Sequence, residues 1–194
     1  TCISLPEVAY PESDPEKPYD SVVLTSGQRQ LFLDDFILGD LDQVTRVIHS
    51  PTKYAGNPVI RPDRPTDGFL IQMRDGPSWD ESEKMWKVWY NRKGTFGNGW
   101  GCGYARSKDG LTWEKPELGL VELNGNRRNN IIRVKDHPKA FVQHVFLDPG
   151  APPERRYKGM LGTDGRKPVV SGDGYTFTVL PVPPIPSQDE SHLT

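Results

Sequence analysis

The chain has 194 residues with 24 Lys and Arg against 26 Asp and Glu, a net charge of −2 that gives no electrostatic footprint for nucleic acid or an anionic membrane. No apolar run reaches the roughly eighteen residues a membrane-crossing helix needs. Nineteen Gly and nineteen Pro, with 35% hydrophobic but 10% aromatic residues, favour short strands and tight turns over helices.

Residues 1–27 read as an irregular arm, with four prolines and many charges in the first twenty positions. "QLFLDDFIL" (30–38) is the first apolar segment and encloses Asp34 and Asp35. "TRVIHSP" (45–51) predicts a strand ended by Pro51, and "GFLIQMRDG" (68–76) a compact strand ending in charge. In "KMWKVWYN" (84–91), Trp86, Val88 and Tyr90 alternate with Lys87 and Trp89, a strand period. "GTFGNGWGCG" (94–103) lacks the Gly-Lys-Ser/Thr ending of a phosphate cradle and reads as a hairpin loop carrying Trp100. In "SKDGLTW" (107–113), Asp109-Gly110 is a turn dipeptide. Ser107 and Asp109 are placed to bond turn amides, and Trp113 starts the returning strand.

Cys2 and Cys102 have no metal-like spacing and either pair or stand as free thiols. His49, His137, His144 and His192 lie far apart, so neither metal nor cofactor is expected, and no Ser-His-Asp arrangement follows a nucleophile elbow.

Three segments recur in order. "NPVIR" (57–61) returns as "NNIIR" (129–133), and "SWDESEKMWKVWY" (78–90) more loosely as "FLDPGAPPERRYKGML" (146–161). "SKDGLTW" (107–113) returns as "SGDGYTF" (171–177), which pairs Asp109 with Asp173 and Trp113 with Phe177. A unit of about 65–70 residues, all strands with one aromatic turn, predicts β-propeller blades of four strands. The expected units are 57–128 and 129–185, with a third beginning in "PVPPIPSQDESHLT" (181–194). Two blades cannot close a propeller, so the expectation is an N-terminal part of a longer protein, with open blade edges prone to association.

These motifs resemble those of the five-bladed propeller proteins related to glycoside hydrolase families 32 and 43, above all a bacterial family-32-like set. The resemblance rests on "QLFLDDFIL", "NPVIRPDRP", "YARSKDGLTWEKPELGLVE", "NNII" and "RRYKGM", and spans about residues 28–190. It implies carboxylates on the innermost strands that serve as nucleophile, acid and transition-state support. The family's site aspartate stands in an Arg-Asp-Pro segment. Here Arg74-Asp75 is followed by Gly76 before Pro77, and Asp75 becomes the candidate for transition-state support with Arg74 beside it.

Counting back five residues from Asp80 and from Asp148 sets Gln143, with His144 next to it, where Asp75 stands in the first unit. Asp189 comes near the same place in the incipient third unit, and Glu190 is the sole candidate for the acid. The family's Trp-Met-Asn-Asp-Pro-Asn-Gly nucleophile segment has no counterpart, and Asp34 and Asp35 are its nearest acidic stand-ins. Trp100 is the candidate sugar platform. The implied function is hydrolysis of a poly- or oligosaccharide by a secreted or periplasmic protein. The alternatives are a carbohydrate-binding or scaffolding propeller without catalysis, and a propeller for protein contacts.

Overall fold

The computed structural model describes residues 26–27, 42–45, 47–94, 99–162 and 166–186. The chain divides into two units, 1–52 and 53–194. Asp34, Asp35, Cys2, Asp189, Glu190 and His192 lie outside the described residues. In the first unit the segment 45–51 is not a strand at any described position. Val47 and Ile48 are exposed there. Branched side chains specify a strand only where an adjacent edge pairs its backbone, which the local sequence does not report.

The described residues of the second unit form strands, turns and short 3-10 helices. Its first sheet centres on β3 (Met85–Lys93), with β4 (Trp100–Ser107) antiparallel on one edge. Two short strands share the other edge end to end: β1 (Leu70–Gln72) lies opposite Asn91–Lys93, and β2 (Ser78–Asp80) opposite Met85–Lys87. They are one inner strand broken at residues 73–77. Beyond β4, Glu114 pairs with Arg106 and Ile131 with Gly103, which supplies the fourth lane.

The second sheet follows the same plan, β6 (Val142–Leu147), β7 (Tyr157–Leu161), β8 (Pro168–Ser171) and β9 (Thr176–Val179) in antiparallel order. A two-residue strand, β5 (Arg133–Val134), runs parallel along β9. The registers correspond, with Trp86 opposite Ser107 in the first sheet and Tyr157 opposite Ser171 in the second. Two consecutive four-stranded sheets stacked on a shared core make the chain a partial β-propeller.

Period 2 sends Val88 and Tyr90 to one face of β3 and Trp89 to the other. Val88 and Tyr90 pack with Ala105, Ile60, Ile71 and Trp113. Trp89 joins Cys102 and Tyr104 and meets Val142, Val145, Tyr157, Val169 and Phe177 of the second sheet. Both faces are therefore buried, and Lys87, which the alternation leaves on a polar face, is only 1% exposed. Trp100, expected in the glycine-rich loop, is the first residue of β4, because Trp100–Gly103 continues the ladder opposite Tyr90–Lys93.

The two turns share their hydrogen bonds atom for atom. Ser107 Oγ donates to Asp109 Oδ1 and accepts the Gly110 amide (2.9 and 2.8 Å), as Ser171 does with Asp173 and Gly174 (2.8 and 2.9 Å). Asp109 Oδ1 then accepts the amides of Leu111 and Thr112, and Asp173 Oδ1 those of Tyr175 and Thr176. Those amides hold the Asp109 carboxyl down to about 2. Gly110 and Gly174 take φ of 76° and 78°, a region that an L side chain strains to enter. Ser171 is 3% exposed, so Ser171→Ala strips the buried Gly174 amide and the part-buried Asp173 amide of their acceptor. It is expected to cost about 1–3 kcal/mol in urea denaturation; a loss below about 0.3 kcal/mol would remove the turn from the list of what holds the sheet.

A seam joins the outer lanes. The Tyr104 amide donates to Asn130 O and the Ile132 amide to Cys102 O, each at 3.0 Å. One residue later the chain changes sheets: the Arg133 amide donates to Tyr175 O (3.0 Å) and the Lys135 amide to Phe177 O (2.7 Å).

Candidate functional site

The inner strand of each sheet is irregular at the same register. In the first, five residues (73–77) face three on β3, so Arg74 and Asp75 fall in the break. In the second, Val142 pairs with Leu161 and His144 with Met160, which leaves Gln143 as the extra residue of a bulge. Asp80 and Asp148 anchor the comparison, because each closes its inner strand beside the turn into the next one. A bulge bends a strand and re-aims a side chain, and such irregularities cluster beside functional sites. Gly76-Pro77 fits the first break, since proline removes a ladder donor.

The side chains at the two irregularities are partly or wholly withdrawn from solvent. Both carboxylate oxygens of Asp75 and the Nε of Arg74 are buried, and Gln143 and His144 are 5% and 1% exposed. Asn91, 2% exposed on β3, faces the bulge from the neighbouring sheet. With its amide turned to donate, its nitrogen lies 3.1 Å from Val142 O and 3.3 Å from Gln143 O. Nothing in the sequence singles out Asn91 except a polar residue inside an aromatic run.

Trp100 is the first residue of β4. Its ring stacks on Phe141 at 6.0 Å and 21°, two residues before Gln143, and Lys93 Nζ lies 5.2 Å from the ring centroid. It keeps 37% of its surface exposed. Trp100 therefore meets, across the two sheets, the residue that leads into the Gln143–His144 bulge, while Arg74–Asp75 stands at the matching place on the inner strand of Trp100's own sheet.

A second polar cluster went unread in the sequence. Lys87 Nζ donates to Asp80 Oδ2 (2.9 Å), Glu83 Oε1 (2.7 Å) and Tyr157 Oη (2.9 Å), and Tyr157 Oη donates to Asp80 Oδ2 (3.0 Å). Arg156 also reaches Asp80 Oδ2. Burial alone would raise the Asp80 carboxyl, but hydrogen bonds from Ser82, Lys87 and Tyr157 hold it far below the usual carboxylate range. A carboxylate so fully engaged is a structural anion that neither gives nor takes a proton near neutrality. The signal for it is the pair Asp148–Lys158, the same two residue types at the same register of the second sheet. There both side chains are about a third exposed.

Cys102 is a buried free thiol, and burial pushes it well above the ordinary thiol range, so it is no nucleophile. Among the described residues no group of three or more His, Cys, Asp or Glu is close enough to hold a metal ion. Nor is any helix among them long and apolar enough to cross a membrane.

No family model matches the chain, and no curated protein does. Solved structures do. The chain is similar to the fructofuranosidase of Schwanniomyces occidentalis in complexes with fructosylnystose and with fructosyl-erythritol. Each is 18% identical with a TM-score of 0.38, over 59% and 60% of this chain. It is also similar to an N-acetylgalactosamine deacetylase from F. plautii in complex with blood group B trisaccharide, 22% identical with a TM-score of 0.35 over 71% of this chain. The chain spans 24% of each fructofuranosidase and 38% of the deacetylase.

Proposed function

We propose that residues 53–186 present part of the glycan-facing surface of a glycoside hydrolase-like propeller that acts on a poly- or oligosaccharide. The observation that carries the reading is the shared irregularity of the inner strands, each placing polar side chains where a regular ladder would bury apolar ones. Asp75, with Arg74 beside it, offers a carboxylate that binds sugar hydroxyls and supports an oxocarbenium-like transition state. Gln143 and His144 add hydroxyl partners, and Trp100 an apolar face at the start of β4. Asp189 and Glu190 remain the proposed carriers of the further carboxylates. Units 57–128 and 129–185 would be two blades of five, in a protein exported to where such glycans are met.

The second reading, a propeller that binds glycan without cleaving it, is favoured by the missing nucleophile segment. Asp75→Asn is expected to weaken oligosaccharide binding about tenfold or more by calorimetry and to leave the near-UV circular dichroism unchanged. Release of reducing ends by the parent chain separates hydrolysis from binding alone. Unchanged binding in Asp75→Asn, on an oligosaccharide the parent demonstrably binds, overturns the role of Asp75.

A further inference from the structure

A cleft of about 870 Å³ lies along the start of β4, walled by residues 120–123 and 131–140. Its charge opposes that of the whole chain. Arg92, Arg133, Lys135 and Lys139 line it against Glu122 and Asp136, a local +2 in a chain of −2. Arg133, Lys135 and Lys139 are exposed and would serve as ordinary solvated cations.

Arg92 is different. It is 4% exposed, and its buried Nε and Nη2 meet no acceptor among the described residues. Its register partner is Gly101, over which the side chain lies: a Cβ on that glycine would stand 3.2 Å from Nη1 and 3.6 Å from Cδ. Asp67, the buried carboxylate whose charge reaches Arg92, is already engaged. It accepts from Lys115 Nζ (2.7 Å), the Tyr90 hydroxyl (2.9 Å) and the Arg64 amide (3.2 Å). Burial lowers the Arg92 guanidinium from its usual range, with Asp67 and Tyr90 opposing the shift. An arginine stays protonated in any case, so a desolvated cation lacks its anion here. A guanidinium offers a planar fork of donors that matches a carboxylate with two parallel bonds. Trp100 lines the same cleft from the other face of the ladder, where it pairs with Lys93.

We propose that this cleft is a subsite for an acidic sugar, whose carboxylate is received by Arg92; the assignment rests on the glycan reading above. The test is calorimetric titration of the full chain with a trimer of galacturonic acid, with its methyl ester, and with a sulfated neutral trimer. The acid is expected to bind at least tenfold more tightly than the ester, and the preference to shrink as salt rises. The sulfated trimer is expected to bind more weakly than the acid. Arg92→Lys keeps the charge but loses the fork, and should bring acid and ester within about twofold of each other while leaving ester affinity unchanged.

Should Arg92→Lys fail to give a cooperative urea transition, Lys135→Glu at the exposed wall takes its place. It should lower acid affinity severalfold without touching the melt, and unchanged affinity would count against the subsite. Equal binding of acid and ester by the parent overturns the subsite and leaves the glycan reading standing, as does a tighter grip on the sulfated trimer. If neither trimer nor any neutral oligosaccharide binds, the glycan reading fails and takes the subsite with it.

Discussion

Asp80→Ala is expected to destabilise the chain by about 3–5 kcal/mol at pH 7, because it leaves Lys87 charged and buried between two sheets without its principal anion. Glu83 remains as a partner, but its side chain is half exposed and screened by water. Asp148→Ala removes the same carboxylate from the second sheet, where Lys158 can turn to solvent, and should lose far less. Guanidinium denaturation of the two variants side by side measures the difference, and equal losses would show that burial is not what makes the first pair matter.

The pH dependence follows from the directions of the two shifts. Asp80 is held below its ordinary 3.8, so its contribution is complete above that value and is lost as pH falls through the lowered one. Burial would lower Lys87, but bonds to Glu83, Tyr157 and Asp80 raise it above its ordinary 10.5. Its contribution is therefore complete below that value and is lost as pH rises through the raised one. The penalty of Asp80→Ala should accordingly be level from about pH 4 to pH 10 and shrink below that window as the parent's carboxylate takes up its proton.

Trp89→Ala should cost a comparable amount, about 3–5 kcal/mol, for a different reason. The indole is 4% exposed and touches both sheets, with ring centroids 5.5 Å from Tyr104 and 5.4 Å from Tyr157. Its Nε1 also donates to Gly174 O at 2.8 Å, so it holds the turn of the next sheet. Truncation opens a void at the interface and removes that donor together. Trp89→Phe keeps most of the ring contact and should recover more than half of the loss. A Trp89→Ala transition within 1 kcal/mol of the parent would mean that the sheets are held together elsewhere.

These two residues also mark how far the sequence could be read. The turns were legible because each of their hydrogen bonds spans two or three residues, so Ser107, Asp109 and Gly110 carry the whole pattern in one glance. The strand through Trp86, Val88 and Tyr90 was legible from its period, but period alone does not say whether the opposite face meets water. Lys87 reads as solvated until Tyr157, seventy positions on, is placed against it. Val47 and Ile48 mislead in the opposite direction, since their branching suggests a strand that no described neighbour pairs.

Counting back from Asp80 and Asp148 set Asp75 against Gln143, and the ladders place an irregularity at both. The breaks themselves needed the ladder, because only pairing reveals that five residues face three. Arg92 was out of reach altogether. Its missing acceptor is a property of what folds around it, and "NRK" (91–93) looks like any charged strand end.

The seam at residues 129–135 bears on a hazard that every small sheet faces. A bare outer strand shows a row of free amides and carbonyls, and any extended peptide in a crowded solution can zip onto it. Here one short run lies along β4 and then along β9, so a single stretch of chain blunts two such rows in turn. Because it crosses from one to the other without a loop between, neither row can be uncovered by a local fluctuation that leaves the other untouched. The seven residues that open the second repeat in the sequence thus act as a hem, and the cover over these two borders depends on its staying sewn.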